Sequence, residues 1–230
     1  MTIKGAEQRL FEAVAIVAIL AFCVLTTSAQ QVVDRTVAVL TDSTRTELIT
    51  YSDLLWQLAL QPNTPIDPPR REDLQQALQT LINQRLFALE AQRLPRQAPT
   101  EKEVADKIQA TLAHFPSTAA FEQRLRQVGF ESVKDDNFQR LMSQRLDIEK
   151  YINFRFESFV VVTPDEEKKY YRDVYVPAFH ARSPALLVPP FEQKQAEIHD
   201  TITQQKVAQS IERFVDEAKQ RVQIDILYEV

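Results

Sequence analysis

Glycine is nearly absent from this sequence, which contains 2 glycines, Gly5 and Gly129, among 230 residues. Phosphate-binding loops, dinucleotide-binding fingerprints and nucleophile elbows need glycine where the backbone turns tightly or approaches a ligand. None of these motifs can be built around Gly129 alone. The sequence therefore predicts a protein that is not an enzyme and holds no cofactor, and we expect its function to depend on a surface.

Cysteine is scarcer still, because Cys23 is the only one. A chain shortened past Cys23 has no disulfide, no thiolate nucleophile and no cysteine metal ligand. His114, His180 and His199 lie far apart without an adjacent histidine or cysteine, so we expect solvated or capping histidines and no metal site. The net charge of −5 argues against binding to nucleic acid, because no basic stripe would neutralise phosphates.

Residues 1–29 are typical of a secretory signal peptide. Lys4 and Arg9 give a weakly positive start, an apolar run follows over residues 13–25, and cleavage is predicted after Ala29. A retained membrane anchor is the alternative, although the apolar run is shorter than the roughly 20 residues that a membrane span needs. We expect an exported protein, which would be periplasmic in a cell with an outer membrane.

The rest of the sequence predicts a mainly α-helical fold that begins and ends with β-strands. Apolar segments at 35–40 and 48–50 indicate a short N-terminal hairpin. Ser52 is the expected N-cap of the first helix, which carries Trp56. Residues 222–228 alternate between apolar and polar side chains, which is typical of a half-buried strand. We expect this C-terminal strand to pair with the hairpin.

Apolar residues at helical spacing predict six further helices. Two of them begin at capping-box pairs, Thr100 with Glu103 and Thr163 with Glu166, and Gly129 fits a left-handed C-cap. The carboxylates of Asp165, Glu166 and Glu167 fall in a first turn, where the helix dipole favours negative charge, so a structural role is expected. The six helices are predicted over 71–94, 100–114, 117–129, 132–160, 163–177 and 191–221.

The predicted helix over 132–160 carries apolar side chains on two faces. At roughly 100° per residue, Tyr151 and Phe154 point away from the main apolar face. A second packing partner explains the pattern, and a partly exposed aromatic surface is the alternative. Phe179, in a proline-rich segment, is a further candidate for exposure. Trp56 follows an apolar pair on the first helix, which favours core packing, and client contact is the alternative. The main face is predicted to hold Phe138, Leu141, Met142, Ile152, Phe156, Phe159 and Val160.

Four stretches occur in a familiar order. They are TYSDL at 50–54, the helix over 78–94, TPDEEKKYY at 163–171, and the final helix and strand from residue 191. In this order they resemble the SurA-like periplasmic chaperones, over nearly all of residues 33–228. The resemblance implies a helical chaperone core, like the N-terminal domain of that family, whose last helix and strand return to the N-terminal hairpin.

The sequence departs from that family between the third and fourth stretches. Members of the family carry one or two parvulin-type prolyl isomerase domains there, whereas this chain has only residues 176–190. No glycine follows Gly129, and His180 and His199 lie outside any paired-histidine motif. The resemblance therefore implies a chaperone core without the catalytic isomerase domain.

The resemblance also implies a domain division and a function. It implies an exported, ATP-independent holdase that binds unfolded outer-membrane or secreted polypeptides through apolar and aromatic side chains. The expected client contacts are Trp56, Tyr151, Phe154 and Phe179. The division is a signal peptide at 1–29, an N-terminal helical chaperone region at 30–176, a proline-rich linker in place of the isomerase domain at 177–190, and a returning helix and strand at 191–230 that complete the same domain.

Two other functions stay open at this point. A structural or adaptor subunit would bind one fixed envelope partner through the same helices. A peptidyl-prolyl isomerase is the less favoured alternative. The expected partners are unfolded polypeptides, with no nucleic acid, no small-molecule cofactor, and membrane contact only through an uncleaved leader.

Overall fold

The computed structural model describes residues 34–93 and 97–229, and the expected signal peptide and its cleavage site lie outside these residues. The described chain is mainly helical with one small antiparallel sheet, as the sequence predicts. No helix in the described ranges is long and apolar enough to cross a bilayer.

The sheet brings the two ends of the described chain together. Strand β1 (Thr36–Thr41) lies in the centre, between β2 (Thr46–Thr50) and β3 (Gln223–Ile226), and both neighbours run antiparallel to it. Val39 of β1 is paired with Leu48 on one side and with Asp225 on the other. The predicted N-terminal hairpin and its pairing with a C-terminal strand are therefore confirmed.

The helices follow the predicted order, with two π-helical turns added. One π turn spans Asn153–Glu157 and the other spans Tyr171–Tyr175. The α-helices are α1 (Tyr51–Ala59), α2 (Arg71–Ala91), α3 (Glu101–Leu112), α4 (Thr118–Gln127), α5 (Asp136–Ile152), α6 (Pro164–Tyr170), α7 (Val176–Arg182) and α8 (Phe191–Arg221).

The helix caps confirm most of the predicted boundaries. Capping boxes start α3 at Thr100 and α6 at Thr163, and Gly129, with φ of 95°, lies in the left-handed region just after α4. The expected N-cap Ser52 is wrong. Thr50, still extended at the end of β2, caps α1, because its hydroxyl accepts from the Asp53 N–H while the Asp53 carboxylate accepts from the Thr50 N–H.

The predicted helix end near Pro177 is also wrong, because α7 continues to Arg182. In an unbroken α-helix, the Pro177 ring would clash with the carbonyl of Asp173. The π turn at Tyr171–Tyr175 interrupts the regular hydrogen-bond ladder just before the proline, and such turns accommodate local strain. Irregular structure is thus confined to residues 183–190 of the expected linker.

Buried apolar side chains form two clusters. The sheet cluster joins the sheet, α1, α2 and the second half of α8, and the aromatic cluster lies among α3, α4 and α5. We call these two clusters with their helices the body. The sheet cluster includes Val37, Leu40, Ile49, Leu54, Leu58, Leu81, Leu86, Phe87, Val215 and Ala218. The aromatic cluster includes Val104, Ile108, Phe115, Phe121, Leu125, Phe130, Phe138 and Met142.

The remaining helices form a paired segment that we call the arm, residues 163–206. It consists of α6, the second π turn and α7, with the first half of α8 packed against α6. Ile198 and Ile202 are its buried apolar side chains, and Glu167 is its buried charged one. The arm therefore has far less apolar core than the body.

Candidate functional site

The four expected client contacts lie in different environments, and Tyr151 is buried. Its side chain is 3% exposed in the sheet cluster, with its ring edge-on to Phe156 at 6.4 Å. Tyr151 points away from Phe138 and Met142, which lie in the aromatic cluster, so a second packing partner explains the two apolar faces. Phe156 was expected on the face of Phe138 and lies beside Tyr151 instead, because the π turn that contains it changes the angle per residue. Both rings consequently face the same cluster, and Tyr151 is not part of an exposed surface.

Trp56 is a half-buried packing residue at the edge of the aromatic cluster. Its indole Nε1 donates to the backbone oxygen of Val128 at 3.0 Å, and its ring lies 5.1 Å from that of Phe130. An indole with its polar atom paired and its face covered is held in one orientation. Of the two interpretations of Trp56, the contacts favour core packing.

Phe179 lies on α7 and not in a loop. It is half-buried, and its ring stacks on Tyr175 at 6.1 Å, which in turn stacks on Tyr171 at 5.6 Å. The spacing of four residues places these three rings in one row along the helix. Stacking in this row leaves Phe179 only partly accessible on the surface of the arm.

Phe154 is exposed as expected, and it has apolar neighbours. Phe154 is 53% exposed, Phe159 is 69% exposed and Val161 is 71% exposed, and the two phenyl rings lie edge to face at 5.8 Å. We call these three residues the α5-end patch. The expectation that Phe159 packs on the main apolar face is wrong, because the helix ends before it and the chain turns outward.

A shallow groove adjoins the α5-end patch. It has a volume of about 340 Å³ between the first π turn and α8. Its lining combines apolar side chains with exposed arginine and glutamate side chains. The lining residues are Arg155, Phe156, Phe159, Val160, Ser210, Arg213, Phe214 and Glu217.

Polar contacts tie the two sides of the arm together. The buried Glu167 carboxylate accepts from Gln195 Nε2 at 2.8 Å and lies 2.7 Å from His199 Nδ1. The hydrogen bond to His199, followed by that from Gln195, lowers the pKa of Glu167 below its usual value. Sequence reasoning placed Glu167 correctly in a helix first turn but missed this tie, because its partners follow 28 and 32 residues later.

A second polar tie lies at the base of the arm. Lys206 Nζ donates to the backbone oxygen of Val161 at 2.7 Å and to Glu166 Oε2 at 2.8 Å. The hydrogen bond from Lys206 and the backbone N–H of Thr163 lower the pKa of Glu166 to about 2. Glu166 therefore both caps α6 and connects it to α8.

The far end of the arm is an apolar loop. The Tyr171 hydroxyl donates to the backbone oxygen of Pro189 at 2.7 Å and anchors the loop on α6 and α7. At the turn, Leu186 is exposed and Leu187 is 95% exposed. An almost fully exposed leucine held on an anchored loop presents an apolar contact to any chain that meets it.

A further groove lies between α1, α2, α3 and α5, and we call it the central groove. Its volume is about 410 Å³. Arg145 of α5 lies in it and donates from Nη2 to Gln57 Oε1 at 2.6 Å. Sequence reasoning did not single out Arg145, since an arginine in a polar helix stretch gives no signal. The lining residues are Gln57, Leu60, Gln61, Gln84, Lys107, Thr111, His114, Met142, Arg145, Ile148, Glu149 and Ile152.

The comparisons with known proteins place the chain in no family. No protein-family model matches it, and no curated protein matches it significantly. Within the described ranges, histidine and carboxylate side chains form no group of three that could hold a metal ion. Any functional argument consequently depends on the surfaces described above.

Proposed function

We propose that this protein is an exported, ATP-independent holdase that binds unfolded polypeptides at the α5-end patch. The observation that carries the proposal is the exposure of Phe154, Phe159 and Val161 beside a groove whose lining includes aromatic rings. Adjacent large apolar side chains at a soluble surface usually mark an interaction site. Covering them with apolar client side chains is favourable without any specific chemistry.

The shape of the patch favours broad recognition. Its rings lie on the surface and are not enclosed by convergent polar groups, so they recognise apolar area and not one sequence. Arg155, Arg213 and Glu217 stay solvated at the rim of the adjoining groove. Such a site binds each client segment weakly and releases it readily, as a holdase requires.

The tip of the arm offers a second apolar contact through Leu186 and Leu187. A client long enough to reach both surfaces binds the second one intramolecularly, which raises the overall affinity. A short peptide gains nothing from the second surface. The proposed holdase consequently prefers long unfolded chains to short apolar peptides.

Light scattering tests the proposal directly. An unfolded outer-membrane protein is diluted into buffer with and without the purified protein, and we expect suppression of aggregation at near-stoichiometric ratios. The double variant Phe154→Ser, Phe159→Ser should lose most of this suppression. Leu48→Ser, which removes a side chain of similar exposure on β2, is the matched control and should retain it.

Two outcomes would favour the other functions. An unchanged scattering trace together with a stable stoichiometric complex with one folded envelope protein would replace the holdase by the adaptor. Ordinary turnover in a protease-coupled proline assay would establish an isomerase. The holdase proposal itself requires suppression of aggregation that depends on the α5-end patch.

A further inference from the structure

Two arginines of the body that face its interior are satisfied to very different degrees. Arg124 donates to backbone oxygens in the last turn of α1 and in the segment after it, at 2.8 to 3.3 Å, and so closes the end of that helix. Arg145 donates to one acceptor, Gln57 Oε1. Its Nε is inaccessible to solvent and has no acceptor, and no carboxylate of the described residues forms an ion pair with it. The oxygens around Arg124 belong to Leu58, Ala59, Gln61 and Thr64.

The charges around Arg145 do not neutralise it. Arg85 lies near it and adds positive charge, while Arg85 itself is paired with Asp53 at 3.4 Å and Glu47 at 4.0 Å. In the central groove, Lys107 and Glu149 pair with each other. Burial, followed by repulsion from Arg85, lowers the pKa of Arg145 to about 10, and attraction to the Asp53 carboxylate offsets part of the shift, so the guanidinium remains charged at neutral pH. Its hydrogen bond to Gln57 leaves other N–H donors of the guanidinium unused, and a carboxylate in the central groove would pair with them.

We propose that the central groove binds the C-terminal carboxylate of a polypeptide whose last residue is apolar, with Arg145 as the ion-pairing group. The groove volume of about 410 Å³ lies within the range of small-ligand sites, roughly 300–1,000 Å³. Beside Arg145 it presents Leu60, Met142, Ile148 and Ile152. The Arg145 guanidinium and the apolar side chains of the groove therefore match the carboxylate and the apolar side chain, which a C-terminal residue carries on the same Cα atom.

The other residues that line the central groove favour this ligand over other anions. Gln61, Gln84 and Thr111 offer amide and hydroxyl groups, which pair with the peptide N–H and C=O groups before the terminal residue. A fatty acid would leave these polar groups unpaired, which is unfavourable in a groove. An internal aspartate or glutamate brings a carboxylate without an apolar group on the same side chain.

This inference goes beyond the proposed holdase, because the central groove and the α5-end patch share no residue. The inference holds for the C-terminus of a folded partner as well as for that of an unfolded client. Loss of aggregation suppression in the patch variant therefore has no bearing on the central groove. Each proposal can fail while the other holds.

Fluorescence anisotropy with two forms of one peptide tests the site. The probe is a short fluorescein-labelled peptide that ends in Leu-Phe, with either a free carboxylate or a C-terminal amide. We expect the acid to bind the full-length protein about 10- to 100-fold more tightly than the amide, as for a hydrogen-bonded charge. Arg145→Met should abolish this difference. Arg140→Met, which removes an exposed guanidinium from the same helix, should preserve it.

Three results would overturn the proposal. Equal affinity of the acid and amide peptides for the unaltered protein does so whether or not any variant folds. Retention of the acid preference in Arg145→Met, with a native circular dichroism spectrum, removes Arg145 from the site. If octanoate binds in an Arg145-dependent manner as tightly as the acid peptide, the groove takes a small organic acid and not a polypeptide terminus.

Discussion

The body buries clusters of large apolar side chains, whereas the buried apolar side chains of the arm are Ile198 and Ile202. The arm is held instead by specific polar contacts of Glu166, Glu167 and Tyr171. Apolar burial tolerates small displacements, since it depends on area, but hydrogen bonds are lost when their geometry is lost. The comparison indicates that the arm can open while the body stays folded.

The largest effect is expected from truncation in the aromatic cluster. Phe138 is fully buried, with edge-to-face rings of Phe121 at 5.8 Å and Phe130 at 5.5 Å. Phe138→Ala should lower the free energy of unfolding by about 3–5 kcal/mol, through lost burial and a residual cavity. Urea denaturation followed by Trp56 fluorescence measures this, since Trp56 is the only tryptophan. A loss below about 1 kcal/mol would contradict the assignment of this cluster to the body.

A smaller and local effect is expected from truncation in the arm. Ile198→Ala should cost about 2–4 kcal/mol in the stability of the arm, because Ile198 is 2% exposed and has few apolar neighbours to close the cavity. Hydrogen exchange should rise in α6 and in the first half of α8, and stay unchanged in α1 and α2. Equal loss of protection in arm and body would show that they unfold as one unit.

Acid should loosen the arm before the body. The pKa of Glu166 is lowered to about 2 by Lys206 and Thr163, and that of Glu167 is lowered by His199 and Gln195. Their ionised forms therefore stabilise the arm fully above the ordinary pKa of about 4.5, and the contribution is lost as the pH falls toward about 2. The body also has carboxylates with a lowered pKa, Asp42 and Glu103 at about 2, but its apolar clusters do not titrate and keep it folded. The ratio of pepsin cleavage in the arm to that in the body should rise over this interval.

Two variants compared with each other test the acid prediction further. Glu166→Gln should raise pepsin cleavage of the arm already near pH 4.5 and flatten its pH dependence, because the tie to Lys206 no longer titrates. Glu192→Gln, which changes an exposed carboxyl in the first turn of α8, should leave the profile unchanged. If pepsin cleavage of the body rises in parallel with cleavage of the arm in both variants, the arm and the body do not differ in their response to acid.

The smallest effect on stability is expected at the α5-end patch. Phe154→Ser should change the free energy of unfolding by no more than about 0.5 kcal/mol, since Phe154 contacts mainly the exposed ring of Phe159. Urea denaturation of this variant alongside Phe138→Ala measures the contrast. A loss above about 1 kcal/mol would mean that Phe154 belongs to the core, and would also weaken the holdase proposal.

The sequence predicts the regular parts of this fold well. Helix α8 has the predicted bounds, 191–221, because prolines precede it and an alternating strand follows it. The capping boxes at Thr100 and Thr163 are local patterns that need no knowledge of the tertiary structure. The N-cap of α1 is off by two residues, because Thr50 and Ser52 are both good caps and the end of β2 decides between them.

The features that the sequence does not predict depend on distant partners or on irregular turns. The π turn at Asn153–Glu157 places Phe156 in the same cluster as Tyr151, and no residue pattern predicts this turn. Arg145 meets Gln57 across 88 residues, so its lack of a carboxylate is visible only in the fold. The candidate surface was therefore predicted in part: Phe154 is exposed, but its neighbours Phe159 and Val161 were not expected beside it.

The return of β3 to β1 has a consequence for the growing chain. During synthesis, β1 and α2 emerge long before α8 supplies Phe214, whose ring stacks on Phe87 at 5.0 Å. Closing such a long loop is slow compared with local helix formation. In that interval, β1 has a free edge whose backbone N–H and C=O groups can pair with another chain. A ribosome that stalls before residue 223 would therefore release a species prone to aggregation.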